Sequence, residues 1–152
     1  MRTQTGGQHT PDDLARTLDD AGYRMTDARR AVVGLIASRD GTFDTADLVA
    51  DARRRRVPAA RATIFRTLEI LAAVGAVERL DLPNGARAYV RCDTNGHHHH
   101  LVCTDCQRSV DLEELGMTSI TAEVERRTGY MIDRHRFELF GLCPNCQTRL
   151  PA

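Results

Sequence analysis

The chain has 152 residues, of which 41% are hydrophobic and 28% are charged, and it contains no Trp. This composition indicates a water-soluble globular protein with aliphatic cores, and the length suits one ordinary domain or two small ones. No apolar run reaches the roughly 18 residues that a membrane span needs. Residues 1–13 lack the apolar stretch of a signal peptide, so we expect a cytoplasmic protein with no membrane partner.

The formal net charge is zero, but the two halves of the chain differ. Residues 1–91 carry 15 Arg against 12 Asp and Glu, whereas residues 92–152 carry 6 against 9. The first half is therefore mildly basic and the second mildly acidic. We predict one domain in residues 1–91 and another in residues 92–152.

Apolar residues at helical spacing predict four helices in the first half, within residues 11–22, 25–38, 44–56 and 58–77. Thr26 and either Asp44 or Thr45 are expected N-caps, and Gly22 and Gly75 are expected helix ends. The following residues alternate between apolar and polar around the dipeptide Asn84-Gly85, which indicates a β-hairpin.

Helices followed by a hairpin are typical of a winged helix-turn-helix domain. The helix from Ala60 would then enter the major groove of DNA, and the hairpin would touch the backbone or the minor groove. A small helical bundle with a hairpin fits the same pattern.

The second half predicts a strand, a metal-binding turn and a strand within residues 100–113, then a helix within residues 118–130. Thr118 or Ser119 would cap this helix and Gly129 would stop it. An alternating segment then leads into a second C-x-x-C motif. So small an α/β module needs a metal or a partner chain for stability.

Two C-x-x-C pairs predict a closed metal site. Tetrahedral zinc accepts four thiolates, and such a site contributes folding energy without leaving a position open for chemistry. A redox pair or an iron–sulfur cluster is the alternative. The predicted structural zinc ligands are Cys103, Cys106, Cys143 and Cys146.

Four consecutive histidines precede the first C-x-x-C pair. Successive side chains of a strand point to opposite faces, so His98 and His100 would share one face and His97 and His99 the other. The alternative is a solvated loop that binds metal adventitiously.

Further ligands lie near the first of these faces. Cys92 stands six residues before His98, and Glu78 begins the hairpin whose return strand ends at Cys92. A carboxylate, a thiolate and two imidazoles suit tetrahedral zinc, so we predict a second site. Its ligands would be Glu78, Cys92, His98 and His100. For the other face, the candidate ligand is His135, the only other histidine in the second half. Alternatively, His135 is a surface histidine on a strand.

The sequence resembles the ferric uptake regulator (Fur) family of metal-sensing repressors over about residues 14–148. The resemblance rests on four segments in this order: RMTDARRAVV, RATIFRTLEILAAVGAVERL, HHHHLVCTDC and GLCPNC. It implies an α+β homodimer with N-terminal winged-helix domains and a small C-terminal α/β dimerisation domain that holds the structural zinc. It also implies a sensory site at the hinge and a palindromic DNA operator.

The sensory ligands resemble the zinc uptake regulator (Zur) branch of the family. In iron-sensing members the position of Cys92 usually holds a glutamate, and a further histidine comes from the place where this chain has Thr42. A thiolate also favours zinc over ferrous iron or manganese. The expected function is a zinc-responsive repressor of metal-uptake genes. A repressor that senses iron, nickel or peroxide is the alternative within the family, with Fe²⁺, Ni²⁺ or Mn²⁺ as the alternative metal at the sensory site.

The resemblance further implies a third metal site, made by His97, His99, His135 and a glutamate. The position of that glutamate holds Thr118 in this chain. Three nearby acidic residues are candidates to replace that glutamate as a ligand, namely Glu113, Glu114 and Glu123. We place Glu114 in the site.

The family's DNA-reading segment ATVYRTL is ATIFRTL in this chain, with Phe65 in place of the tyrosine. Phe65 keeps an apolar contact for a thymine methyl group but loses a hydroxyl for a phosphate or a base. Arg61, Thr63 and Arg66 are the other expected DNA contacts.

An enzyme is the alternative from another class. A zinc-dependent hydrolase or deaminase needs an open metal position and an acid/base glutamate beside it. The sequence contains neither H-x-E…P-C-x-x-C nor H-E-x-x-H. We therefore expect no catalysis and no small organic substrate.

Overall fold

The computed structural model describes residues 3–4, 10–92, 98–113 and 116–149. Its helices are α1 (Pro11–Asp20), α2 (Asp27–Ala37), α3 (Thr45–Arg54), α4 (Arg61–Ala73), α5 (Met117–Thr128) and α6 (Pro144–Gln147). Its strands are β1 (Thr3–Gln4), β2 (Val77–Asp81), β3 (Arg87–Arg91), β4 (His98–Cys103), β5 (Ser109–Glu113) and β6 (Glu138–Gly141). The predicted α+β class is confirmed.

Most helix ends follow the predicted signals. Thr26 caps α2 and Asp44 caps α3, each accepting a backbone N–H in the first turn. The predicted start of α4 at Pro58 is wrong, because residues 55–60 connect α3 to α4 and the helix begins at Arg61. The predicted cap of α5 is also wrong, since Gly116 precedes that helix in a left-handed conformation with no side-chain cap.

Helices α1–α4 enclose the larger core, and the β2–β3 hairpin packs on it as a wing. The largest buried side chains of this core include Leu14, Leu18, Ile36, Leu48, Ile64, Leu68 and Leu71. Phe43, in the loop before α3, exchanges two backbone hydrogen bonds with Tyr89 of β3, and this isolated β-bridge ties the loop to the hairpin. This arrangement confirms the predicted winged helix rather than a plain helical bundle.

The remaining strands form one sheet in the order β1-β5-β4-β6. Strand β4 is central, antiparallel to β5 and parallel to β6. Its register sets His100 opposite Asp111 on one side, and it sets Cys103 opposite Gly141 on the other. Helix α5 connects β5 to β6. Among the described helices, none is long and apolar enough to cross a membrane.

Residues 10–92 contact the four-stranded sheet and its turns at more than one place. Leu80 and Val90 of the hairpin form a small apolar cluster with Val102 of β4. Farther along, the backbone N–H of Thr42 donates to the carbonyl oxygen of Gln107 at 2.9 Å. The domain boundary between residues 91 and 92 stays a prediction.

The Thr42–Gln107 contact depends on a glycine. Gly41 has a φ of +91°, and a Cβ at this position would overlap the carbonyl oxygen of Gln107 and lie 2.9 Å from the Cα of Arg108. No other residue allows both this backbone conformation and this close approach. The loop between α2 and α3 therefore lies directly on the turn that carries the first C-x-x-C pair.

Candidate metal and DNA-binding sites

The four cysteines of the C-x-x-C pairs converge at one end of the sheet, with their Sγ atoms within 4.8 Å of one another. Parallel pairing of β4 with β6 brings Cys103 beside Gly141, and the chain then turns so that Cys143 and Cys146 reach the same point. The Sγ atoms of Cys106 and Cys143 are 3.8 Å apart. Such a convergence of thiols fits tetrahedral zinc.

Hydrogen bonds at this cluster favour the thiolate form of one cysteine. The backbone N–H of Cys143 donates to Cys103 Sγ at 3.3 Å. This bond and a second from the backbone of Cys106 lower the pKa of Cys103 to about 6. In the absence of a metal, the side chain of Asp105 and the neighbouring thiols raise the pKa of Cys146. A bound cation reverses that effect by stabilising the thiolates.

The second predicted cluster forms where the hairpin approaches β4. Glu78 lies on β2, Cys92 follows β3, and His98 and His100 share one face of β4. One ligand atom from each of these residues lies within 4.8 Å of the other three. Cys92 reaches this point because its backbone N–H donates to the carbonyl oxygen of Ala76, next to β2, at 3.1 Å.

His100 is the most enclosed member of this cluster. It is 1% exposed. Its Nε2 lies 3.1 Å from Glu78 Oε2, and its Nδ1 lies 3.0 Å from Asp111 Oδ1. Asp111 is itself buried. A carboxylate on the second nitrogen of a metal-binding histidine fixes the ring and its tautomer, and Asp111 stands in that position relative to His100.

The sequence interpretation missed Asp111, although the register could have identified it. In the β4–β5 pair, opposite residues have numbers that sum to 211, as Val102 with Ser109 and His100 with Asp111 show. The turn at the first C-x-x-C pair fixes this sum. Counting outward from that turn would have placed the carboxylate of Asp111 beside His100.

The charges of this cluster are mutually dependent. Burial opposes protonation of His100, but hydrogen bonds to Asp111, Cys92 and Glu78 together raise its pKa to about 11. The hydrogen bond from His100 lowers the pKa of Glu78. Burial opposes ionisation of Cys92, yet hydrogen bonds from His100 and His98 lower the pKa of its thiol. The metal-free cluster thus holds a proton among anionic groups, which is the charge pattern of a cation site.

The opposite face of β4 carries His99, which is buried against His135 and Phe137. The ring centroids of His99 and His135 are 5.3 Å apart. The other expected ligands of the third site, His97 and Glu114, lie outside the described residues, as does the side chain of Glu113. Glu123 is bound to Arg126 and Arg127 on α5. Within the described part of the chain only two groups of three or more metal-binding side chains converge, so the third site stays a prediction.

Helix α4 presents a basic and partly apolar face to solvent. Arg61 and Arg66 are exposed, Thr63 is half-buried, and Phe65 is 38% exposed. The guanidinium of Arg61 lies 5.4 Å from the centroid of the Phe65 ring. The first turn of α4 contains no acidic residue and no side-chain cap. Its free N–H groups and its arginines therefore favour an anionic partner.

Helix α5 has no buried side chain, although it carries apolar residues. Ile120 is 51% exposed and Val124 is 42% exposed, four residues apart on the same helix face. Tyr130 and Met131, just beyond the helix, are more exposed still. Exposed apolar residues grouped in this way are typical of a protein–protein interface.

Comparison with known proteins assigns the fold. The family model for the ferric uptake regulator family matches residues 20–140. The chain belongs to the ferric uptake regulator family. It is 33% identical to the zinc uptake regulation protein of Mycobacterium tuberculosis, over 84% of this chain and 98% of that protein. It is 27% identical to the ferric uptake regulation protein of Synechococcus elongatus, over 93% and 98% of the two chains.

A solved structure of a zinc uptake regulator with zinc and DNA has the same fold, with a TM-score of 0.71 and 22% identity over 91% of this chain and 93% of that one. As a Fur-family member, this chain is a metal-responsive, DNA-binding transcription regulator and not an enzyme. Its partners are duplex DNA and a second copy of the chain.

Proposed function

We propose that this Fur-family member is a zinc-sensing repressor, in which Glu78, Cys92, His98 and His100 hold the sensory metal. The observation that carries the proposal is the convergence of one ligand atom from each residue to within 4.8 Å. These ligands come from two parts of the chain, the hairpin and β4, so a metal bound here ties those parts together.

The donor set supports zinc as the metal. Oxygen, sulfur and two imidazole nitrogens suit four-coordinate zinc, and a thiolate is a softer ligand than manganese or ferrous iron prefers. Thr42 offers no imidazole where iron-sensing relatives are expected to have one. The zinc uptake regulator of Mycobacterium tuberculosis, 33% identical to this chain, adds support.

The cysteine cluster has a different proposed role. Cys103, Cys106, Cys143 and Cys146 hold a structural zinc ion that fixes the turn after β4 and the segment after β6. With four thiolates, no position remains for regulation or chemistry. The turn fixed in this way is the one that contacts Thr42 through Gln107.

Regulation follows from the attachments of the hairpin. Val77, at the start of β2, packs in the helical core together with α4. Ligation of Glu78 and Cys92 to the histidines of β4 therefore restricts how the DNA-reading helix lies relative to the dimerisation sheet. The metal-free dimer samples more orientations, and the metal selects the one in which both copies of α4 match the two half-sites of a palindromic operator.

The proposed DNA contacts are Arg61, Thr63, Phe65 and Arg66 on α4. Arginine is suited to guanine edges and to phosphates, whereas Phe65 is suited to a thymine methyl group. The proposed dimer contact is the exposed apolar face of α5, since joining two copies there removes this face from water. The regulated genes would be those of metal uptake.

Metal specificity is the decisive test. Metal-stripped protein is titrated with zinc, ferrous iron, manganese or nickel at buffered free concentrations, and binding to an operator selected from random duplex DNA is measured by fluorescence anisotropy. We expect zinc to restore binding at a lower free concentration than the other metals do. An equal response to iron or manganese at cellular concentrations would reject zinc and favour an iron sensor or a peroxide sensor.

A further inference from the structure

Helix α3 is closed by Arg56 in a left-handed backbone conformation that arginine disfavours. The backbone N–H of Val57 donates to Ala52 O at 2.8 Å, and that of Arg56 donates to Arg53 O at 3.2 Å. These two bonds define a Schellman motif, whose closing residue must be left-handed. Arg56 occupies this position with a φ of +53°. Glycine is the usual residue here because a Cβ makes the conformation costly.

Other helices of the same chain use glycine at this point. Gly22 follows α1, Gly75 follows α4 and Gly129 follows α5, each with a positive φ. Only Arg56 and Gln107 are non-glycine residues with positive φ in the described part of the chain. A costly residue in a position where glycine would close the helix points to a role for its side chain.

Two of the four arginines at residues 53–56 have partners within the protein. Arg54 forms an ion pair with Asp51, and Arg55 Nη1 donates to Ser38 Oγ at 3.1 Å. The side chains of Arg53 and Arg56 are exposed and have no hydrogen bond or ion pair with any residue that the structure describes. The conformational cost at Arg56 is therefore not offset by an internal contact of its guanidinium.

We infer that Arg56 binds a phosphate of the DNA backbone, from the turn that leads directly into α4. Four residues separate Arg56 from Arg61, so its charge stands immediately before the helix proposed to read the DNA. A guanidinium forms two parallel hydrogen bonds with a phosphate, which suits a contact that positions the protein without reading sequence. This inference rests on the proposed use of α4 to bind DNA.

Three substitutions separate the charge of Arg56 from its backbone conformation. Arg56→Gly removes both the charge and the strain, Arg56→Asn removes the charge with a residue that tolerates the left-handed region, and Arg56→Lys keeps the charge. Arg149→Gln, which removes an exposed charge beyond α6, is the control for net charge. Zinc-loaded full-length dimers are titrated onto a random-sequence duplex of about 30 base pairs in about 50 to 200 mM KCl.

We expect Arg56→Gly and Arg56→Asn to weaken binding roughly tenfold at the lower salt and to reduce the slope of log K against log salt by about 1 per protomer. Arg56→Lys and Arg149→Gln should keep the wild-type slope. The melting temperature of Arg56→Gly should stay level or rise.

Wild-type affinity and slope in the Arg56→Gly dimer would overturn the inference and leave DNA binding by α4 intact. A fall in melting temperature with unchanged DNA binding would also overturn it, because Arg56 would then serve the helix C-terminus. If the wild-type dimer fails to bind duplex DNA, the proposed function fails as well.

Discussion

Asp111 Oδ1 lies 3.0 Å from Nδ1 of His100, and both side chains are buried. This contact leaves Nε2 of His100 facing Glu78 in the proposed sensory cluster. Asp111→Asn should therefore lower zinc affinity at the sensory site by about 10- to 100-fold, since an amide orients the ring without supplying charge. Competition with a chromophoric chelator measures the affinity. Asp133→Asn, at an exposed position, is the control, and equal affinities in the two variants would contradict the role of Asp111.

Cys92→Ser should abolish zinc-dependent DNA binding while leaving a folded dimer. A hydroxyl is a much poorer ligand for zinc than a thiolate, and the serine still fits the space beside β2. DNA binding is followed by anisotropy against buffered zinc, and the dimer by analytical ultracentrifugation. Should the variant unfold instead, Cys92 would be a structural residue rather than a sensor.

Cys103→Ser should destabilise the fold itself, unlike Cys92→Ser. This residue belongs to the four-thiolate cluster, and losing one ligand removes a zinc ion whose binding contributes folding energy. We expect about one fewer zinc per protomer by elemental analysis, with a clearly lower melting temperature. A variant with normal stability would show that the sheet holds together without this metal.

Zinc binding at the sensory site should release protons at neutral pH. With a pKa of about 11, His100 is protonated in the metal-free protein at pH 7, whereas a ligating imidazole must be neutral. Calorimetry in phosphate and in Tris measures the released protons from the difference in apparent enthalpy. His100→Asn should release fewer protons than His135→Asn, and identical release in both would contradict the assignment.

The same pKa predicts how pH affects the metal-free fold. Because the pKa of folded His100 lies above its ordinary value of 6.5, its stabilising effect is complete below pH 6.5 and disappears as the pH rises towards 11. The metal-free protein should therefore lose stability on this account across that range, and His100→Asn should flatten the profile. Urea titrations at a series of pH values measure both. If the stability of His100→Asn declines equally steeply with pH, another titrating group causes the decline.

Gly41→Ala should destabilise the protein more than Gly22→Ala. Both glycines have a positive φ, so both variants incur the cost of about 1 kcal/mol of a left-handed residue. Only at Gly41 does a Cβ meet backbone atoms, those of Gln107 and Arg108, whereas Gly22 has open space around it. Urea unfolding compares the two. Equal losses would mean that the loop before α3 can move away from Gln107 without cost.

Local patterns in the sequence predicted much of the geometry of the two clusters of side chains. Alternation along a strand placed His98 and His100 on one face, and C-x-x-C spacing brought each cysteine pair around one point. The approach of Glu78 to Cys92 needed a longer-range argument, from the hairpin, and the two cysteine pairs meet only because β4 pairs with β6. These residues converge as predicted, and their occupancy by metal is for the experiments above to test.

Other features depended on contacts that the sequence does not display. Helix α4 begins at Arg61 rather than Pro58 because the connection from α3 extends over residues 55–60. The approach of Gly41 to Gln107 joins loops that lie far apart in the chain, and only the assembled fold reveals it. The position of Asp111 beside His100 could have been predicted from the sequence. That prediction needed the register between β4 and β5, and the pattern of a single strand does not give it.

Strand β4 carries proposed ligands of both clusters, with His98 and His100 near its start and Cys103 at its end. At about 3.3 Å per residue, the Cα atoms of His100 and Cys103 are about 10 Å apart along one rigid strand. A slip of β4 by one residue would reverse the face of every histidine. The cysteine cluster anchors the far end against such a slip, so we expect an order of assembly in the cell. Newly made chains should bind zinc at the four-cysteine cluster first, and only then bind metal at the proposed sensory site.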